Sequence, residues 1–441
     1  MKLVSIYKPK TILLILLGIV TIKTQAQEAW NLSKCIDYAV ENNAKLKIDK
    51  NNSLIVEQKE KEVKSNLIPK LSLNGDYKYY IELPTQLMPM SVFGGPQEQF
   101  KDAQFGVPHN INANLQVSMP LYSPELYSGI KKTKLASEVS ELQFQKTKEQ
   151  LMYDVSYYFF NAQILKSQID FINDNLKNTR QLLANVELLH QQLLLTQVDE
   201  DKVALNVQQL LTKKEIVDSK YRQVINGLKL QLGMALSETL EIEHSIDKNV
   251  DGNYSVQPTI DMKLASKQYE MLNADLSTLQ KTRITPSAFL YGSYGVMGYG
   301  FSGDNNEFLN FYNVGFAGVK VSYPIFNGMV TQKKVNQKKI EIENNTIQQQ
   351  LLKDKSKVEI DNAILQINVA QVTYVSTQTQ IELAQSIYNQ VLLQNKQGLA
   401  SLTEVILADV VLREAQQNNI TAIVEYLKTD LELKKLTGNI K

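Results

Sequence analysis

Apolar positions recur along this chain with two different periods. In two long blocks they return every three or four residues, as at Leu182, Val186 and Leu189 and again at Ile360, Ile364 and Ile367. That spacing belongs to a helix burying one face. No proline lies between Glu125 and Gln257, and none follows Pro324. Proline costs about 3 kcal/mol inside a helix, so both blocks are free to run as long helices. From Gly328 to about Asn395 no strong breaker intervenes. A helix of that span is roughly 100 Å long, at about 1.5 Å per residue. No ordinary globular core needs such length; a coiled coil or a helical tube does.

The second period is two. Ile111, Ala113, Leu115, Val117 and Met119 alternate with Asn110, Asn112, Asn114, Gln116 and Ser118. One face is apolar and the other polar but uncharged, over a length matching the roughly 9–11 residues of a tilted membrane strand. Strands are expected at about 71–80, 110–120, 288–297 and 311–323. Tyr77, Tyr79, Tyr80, Tyr291, Tyr294, Phe311 and Tyr312 are candidates for the aromatic belts of a barrel. A soluble antiparallel sheet shows the same alternation. Four strands cannot close a barrel, and an open edge in lipid leaves backbone groups unpaired, so the membrane reading requires several chains to share one barrel. Three chains supply twelve strands, enough to enclose a lumen.

The pattern occurs twice. Residues 117–122 read VSMPLY and residues 321–326 read VSYPIF, a shift of 204 positions. The same shift sets Val198-Asp199-Glu200 against Leu402-Thr403-Glu404. Upstream, Pro69, Gly75 and Tyr77 match Pro286, Gly292 and Tyr294 at a shift of 217. A tandem duplication with loops of unequal length accounts for both shifts. The first repeat spans 27–239, with a helix from about Leu32 to Ser65, two strands, and a helical hairpin over about 125–236. The second spans 259–441, with a helix from about Thr259 to Arg283, two strands, and a hairpin over about 328–436. Residues 240–258 link them. The hairpins are expected to turn near Leu194 to Val198 and near Gln397 to Ser401, where Gly398 is a suitable helix-ending residue. Residues 81–109 read as a long loop and 298–310 as a shorter one. The fold class is therefore mainly α with a small β part.

Composition adds an address. Lys2, Lys8 and Lys10 flank the apolar run Thr11–Val20, and Thr24-Gln25-Ala26 offers small residues at a cleavage point. Residues 1–26 read as a secretory signal peptide, since the run is too short for a membrane-spanning helix. Removing Lys2, Lys8, Lys10 and Lys23 from the 47 basic residues leaves 43 against 46 acidic ones, a net −3. That balance gives no support for nucleic-acid binding. A single cysteine, Cys35, excludes an internal disulfide and reads as a small apolar residue on a helix face. His109, His190 and His244 lack metal-ligand spacing, and neither a phosphate-binding glycine loop nor a supported nucleophile is evident. No enzyme activity, metal or cofactor is expected.

Several segments resemble the TolC family of outer-membrane efflux proteins: Leu67-Ile68-Pro69 before the first strand, VSMPLY and VSYPIF, the stretch from Gly398 to Val405, and the opening from Cys35 to Asn43. The resemblance covers the whole mature chain. It implies a homotrimer whose twelve strands form an outer-membrane barrel in contact with lipid and whose twelve helices form a periplasmic tube. It also implies a periplasmic adaptor and an inner-membrane pump of the RND, ABC or MFS class, docked at the tube's tip.

The resemblance places the adaptor contact at Gly398, Leu399, Ala400 and Ser401, with Leu194 the first-repeat counterpart of Gly398. The alternative is a plain helix connection. It also implies an acidic constriction. Glu404 matches one position of the family's ring, Leu407 stands where a second acid is expected, and Glu200 is the counterpart of Glu404, with Asp199 and Asp201 adding charge. Carboxylates crowded in a narrow pore raise one another's pKa and attract cations. Acids at a helix start equally favour the helix dipole. A trimeric coiled-coil surface fibre or adhesin explains the helices and the export, but not strands that occur twice between helices. Cargo, polypeptide or small molecule, is left open.

Overall fold

A computed structural model describes residues 29–245, 254–300 and 309–440. The expected signal peptide, most of the 298–310 loop and the middle of the linker lie outside the described residues.

Fourteen-residue β4 (His109–Tyr122) is the centre of the sheet. It pairs antiparallel with β1 (Lys70–Tyr79) on one side and with β5 (Ser287–Gly300) on the other; β5 in turn pairs with β6 (Asn310–Ser322). The order is β1-β4-β5-β6, so β1 and β6 are edges. Lys70 faces Ser118, and Ser287 faces Ser322. These are the same rungs under the two shifts read from the sequence. The extra length falls between β1 and β4. There the chain forms a second, two-stranded sheet, β2 (Thr85–Pro89) with β3 (Phe100–Gln104), joined through a 3-10 turn at Met90–Phe93. The stretch expected to be plain loop is therefore partly a hairpin.

The helices follow the proline map. α3 (Pro124–Gln191) and α6 (Val330–Lys396) run 68 and 67 residues, each roughly 100 Å. Ser123 accepts from the Leu126 N–H and Pro124 fills the first helical turn, so α3 starts where its sequence dictates. Each long helix folds back into a shorter one, α4 (Gln197–Leu232) or α7 (Leu402–Leu436).

The expected first helix is interrupted. α1 (Leu32–Asn42) ends at Asn43, whose ψ of 125° lies outside the helical range, and α2 (Ala44–Ser65) starts there. Asn43 accepts from the Leu46 N–H as a cap, while its side-chain amide donates to the Gln231 carbonyl at 2.8 Å. That bond seats the start of α2 on the end of α4. Likewise the Thr437 carbonyl accepts from Gln257 N–H at 3.2 Å, seating the approach to α5 (Ile260–Ile284) on the end of α7. Neighbouring helices thus stand in the order α2, α3, α5, α6 near the sheet and α4, α3, α7, α6 beyond it.

The core lies along these seams. Cys35, Ala39, Val155, Ala162, Leu228 and Leu232 are sealed where α1, α3 and α4 meet, and burial pushes the Cys35 thiol up to about 12. Such a thiol packs as an apolar residue. Further from the sheet, α3 and α7 are tied by buried amides, Asn175 donating to Gln416 Oε1 at 2.8 Å. Among the described residues no helix is long and apolar enough to cross a membrane.

Gly233 ends α4 with a φ of +74°, and a Cβ there would sit 2.7 Å from the Asn42 carbonyl oxygen. Gly233→Val should therefore cost about 2 kcal/mol or more by combining left-handed strain with a clash. A lowered urea midpoint for loss of helicity checks this; an unchanged midpoint contradicts it.

Candidate functional site

The sheet has two chemically distinct faces, fixed by its register. Leu71, Leu73, Gly75, Tyr77 and Tyr79 of β1 lie beside Val117, Leu115, Ala113, Ile111 and His109 of β4. The same face continues through Leu290, Tyr294 and Val296 of β5 and Phe311, Val319 and Val321 of β6. Among the described strand residues this face carries no Lys, Arg, Asp or Glu. Leu71 and Leu73 are 64% and 79% exposed in the single chain. An apolar surface without Lys, Arg, Asp or Glu suits lipid.

The opposite face carries an amide ladder. Asn74 donates to Asn114 and Gln116, Asn114 to Asn112, and Asn112 to Asp76 Oδ1 at 3.1 Å. Such a ladder belongs in water, since unpaired amide valences in hydrocarbon cost several kcal/mol. Two of the expected belt residues, Tyr291 and Tyr312, lie on this amide face and cannot serve a lipid belt. Tyr77, Tyr79, Tyr294 and Phe311 lie on the apolar face; Tyr80 follows the end of β1.

Both layers end in open edges. Among the described residues the outer backbone groups of β1 and β6 have no partner strand. In the helical layer α6 exposes Leu351, Val358, Leu365 and Val372, 58–70% accessible and spaced by seven. At the other edge α2 exposes Ile48 and Ile55, and α4 exposes Leu205 and Ile216. A seven-residue apolar stripe on a long helix is the seam of a coiled coil.

The hairpin tips are built alike. In the first, Thr196 accepts from Asp199 N–H while Asp199 reaches back to Thr196; in the second, Ser401 and Glu404 do the same. Both are capping boxes. Their hydrogen bonds hold both carboxyls below their ordinary range: for Glu404 those from Ser401, backbone then side chain, and for Asp199 those from Thr196, side chain then backbone. Structural counterparts therefore differ by 205, not 204. Asp199, rather than Glu200, corresponds to Glu404.

The same correction applies to the turn. Leu193, with φ +63°, holds the left-handed position that Gly398 holds with φ +73°; Leu194 corresponds to Leu399. In each turn the next two N–H groups close back on the helix, Leu193 and Leu194 onto His190 and Leu189, Gly398 and Leu399 onto Asn395 and Gln394. Leu193, Leu194 and Leu399 are 90%, 67% and 77% exposed. A leucine in a left-handed conformation gives no sequence signal, so the first-repeat counterpart of Gly398 is visible only in the backbone.

Glu200 is half-buried. Its Oε2 lies 2.7 Å from His190 Nδ1, bridging the end of α3 to the start of α4. A carboxylate only accepts, so Nδ1 carries the proton. The second tip has Asn395 at the position of His190, donating to the Ala400 carbonyl at 2.9 Å. Asp201 accepts from Gln197 at 3.0 Å on the exposed side. Further along α7, Asp409 is buried against Arg413 at 2.9 Å. Burial pushes its carboxyl up and Arg413 opposes that shift. Sequence reading passed over Asp409, although its i,i+4 spacing to Arg413 was visible. The structure thus brings Leu194, Asp199, Glu200 and Asp201 to one tip and Gly398, Leu399, Ala400, Ser401 and Glu404 to the other. Val186 and Val203 of the first hairpin and Leu402 of the second pack together just behind them.

No protein-family model matches this chain, and no curated protein matches it. Solved structures do. The outer membrane channel CmeC of Campylobacter jejuni superposes with a TM-score of 0.73 at 14% identity, over 92% of this chain and 85% of that one. The open state of the MtrE outer membrane channel of Neisseria gonorrhoeae gives 0.71 at 16% identity, over 93% and 89%. The outer membrane protein VceC of Vibrio cholerae gives 0.71 at 12%, over 92% and 96%. This chain has the fold of TolC-family outer-membrane channels, the fold its motifs resembled.

Ser401→Ala removes a cap and should destabilise the start of α7 by about 1 kcal/mol. Faster proteolysis at the Gln397–Ser401 turn checks this. The depressed Glu404 carboxyl gives the matching pH dependence. Its folded pKa lies below the ordinary 4.5, so its contribution is complete above that value and is lost as pH falls through the lowered one. Proteolysis of the turn should therefore accelerate only below about pH 4.5, and Glu404→Gln should flatten the profile.

Proposed function

We propose that this chain, folded as a TolC-type protomer, is one third of an outer-membrane exit duct, working as a passive conduit for an inner-membrane pump. The observation that carries the reading is the pair of open edges. Edge strands β1 and β6 and the apolar stripe of α6 lie at lateral margins of one protomer. Ring closure by identical copies satisfies both layers at once, β6 of one copy adding to β1 of the next while its α6 packs on the neighbour's α2 and α4. Three copies give twelve strands and a water-filled lumen. The amide ladder then lines that lumen, and the charge-free face meets lipid. The helices form the periplasmic extension, and the tandem repeat lets one chain supply two similar hairpins to the tube.

At the tips the exposed Leu193, Leu194 and Leu399 mark the contact for a periplasmic adaptor, with Gly398, Ala400 and Ser401 forming the second turn. The hairpins differ: one tip presents two leucines and a His190–Glu200 bridge, the other one leucine and a glycine turn. We infer that they dock the adaptor unequally. For the acidic constriction, Asp199 and Glu404 are held by capping boxes and Glu200 by His190, which favours the structural role for all three. Asp201 is the tip carboxylate least engaged by its own hairpin.

These readings are testable. The purified mature protein should migrate as a detergent-resistant oligomer on an unheated gel and open steady conductance in planar bilayers. Leu365→Asp together with Val372→Asp should abolish the oligomer while leaving an intact chain; an undiminished oligomer would remove the α6 seam from the account. Glu200→Gln with Glu404→Gln should leave divalent-cation block of the conductance little changed, whereas adding Asp201→Asn should weaken it severalfold. Strong relief from the first pair alone would restore those two acids as the constriction.

A further inference from the structure

On the amide face of the sheet the two halves differ. β1 and β4 present Asn74, Asn112, Asn114 and Gln116, whereas β5 and β6 present aromatic rings. Tyr291 packs edge-on to Phe316 with centroids 6.1 Å apart, and Tyr299 lies 6.1 Å from Tyr312. Tyr291 and Tyr299 are 39% and 38% exposed, Phe316 and Tyr312 both 57%. A single sheet cannot turn half of its inner face toward lipid. If the ladder faces water, so do these rings.

Charge on this face is also uneven. Among the described strand residues it carries Lys70, Lys78 and Lys320 against one carboxylate, Asp76. Asp76 is already 3.3 Å from Lys78. The excess positive charge therefore rests on Lys70 and Lys320, at the end of the sheet nearest the helices. Lys320 stands opposite Phe289, beside Tyr291 on the same face. Lys70 lies 2.9 Å from Asn66 Oδ1 in the turn before β1.

We propose that the inner wall of β5 and β6 is a transit site for aromatic anions, flat rings stacking on Tyr291 and Phe316 while their negative charge is met by Lys320. This rests on the exit-duct reading, which makes the amide face the lumen. Exposed rings offer π faces and edges to a flat solute, and the neighbouring ammonium decides its sign. A wall built only to pass water and ions would keep the amides of β4 throughout. Tyr299 and Tyr312 form a second platform toward the far end of the strands, so a solute leaving the first pair meets another before the exit.

The test is current block of the purified oligomer in planar bilayers. The probes are naphthalene-1-sulfonate, the cation 1-naphthylmethylammonium, and neutral maltohexaose. The sulfonate should block at concentrations roughly tenfold below either of the others, a factor corresponding to about one stacked pair with its charge. Phe316→Ser, an exposed position, should raise its half-blocking concentration severalfold. Lys320→Gln should do the same while reducing preference over the cation. The Tyr299→Ser, Tyr312→Ser variant should weaken block less. Equal block by the three probes, block by maltohexaose alone, or unchanged block in Phe316→Ser and Lys320→Gln would overturn the proposal while the conductance itself upheld the duct. A protein with no conductance at all would remove the duct, and the transit site with it.

Discussion

Backbone groups at a sheet edge must find partners before the sheet can enter hydrocarbon. In the exit-duct reading that constraint orders the rest of this molecule. Each unmet N–H or C=O in lipid costs several kcal/mol, and among the described residues the main sheet is β1-β4-β5-β6 with two open sides. Copies of the chain remove both edges with no new element. The helical layer meets the same demand in water, where α6 exposes Leu351, Val358, Leu365 and Val372. Burying such a stripe against a neighbour gains about 25 cal/mol for each Å2 of apolar surface. In the exit-duct reading, one symmetry closes both sheet and helices and accounts for both margins.

Length follows from that arrangement. Two helices of about 100 Å carry the chain away from the sheet, and shorter helices seated end to end line them, α2 with α4 and α5 with α7 along α3, and α5 with α7 along α6. The end-to-end seats depend on single residues: Asn43 capping α2 while bonded to Gln231, and Gly233 leaving room for the Asn42 carbonyl. At the far end each hairpin turns over five residues and restarts with a capping box. The acids drawn to these tips are therefore explained first by helix chemistry, and the exposed leucines beside them carry the proposal of an adaptor contact.

Much of this was legible in the sequence. The alternation of Asn110–Met119 marks a strand because successive side chains of a strand point to opposite faces of its sheet. The absence of proline after Pro324 and between Glu125 and Gln257 gave the long helices. Repeated VSMPLY and VSYPIF gave the duplication that the paired rungs Lys70–Ser118 and Ser287–Ser322 reproduce. Other features were hidden for physical reasons. Leu193 in a left-handed turn looks like any leucine, so spacing alone pairs Glu200 with Glu404 where the capping boxes pair Asp199 with it. Asn43 breaks its helix without proline or glycine. The β2–β3 hairpin contains Pro89, which argues against a strand except at an edge. Tyr291 and Tyr312 were placed in a lipid belt by composition; only the register with β4 shows that they face the other way.

The most direct measurement is hydrogen exchange of the strand amides in the purified, membrane-extracted assembly. Closure by neighbouring copies predicts that β1 and β6 are protected to the same degree as β4 and β5, because every strand is then an inner strand. Rapid exchange along β1 and β6, with protection confined to β4 and β5, would leave the edges open and contradict the shared barrel.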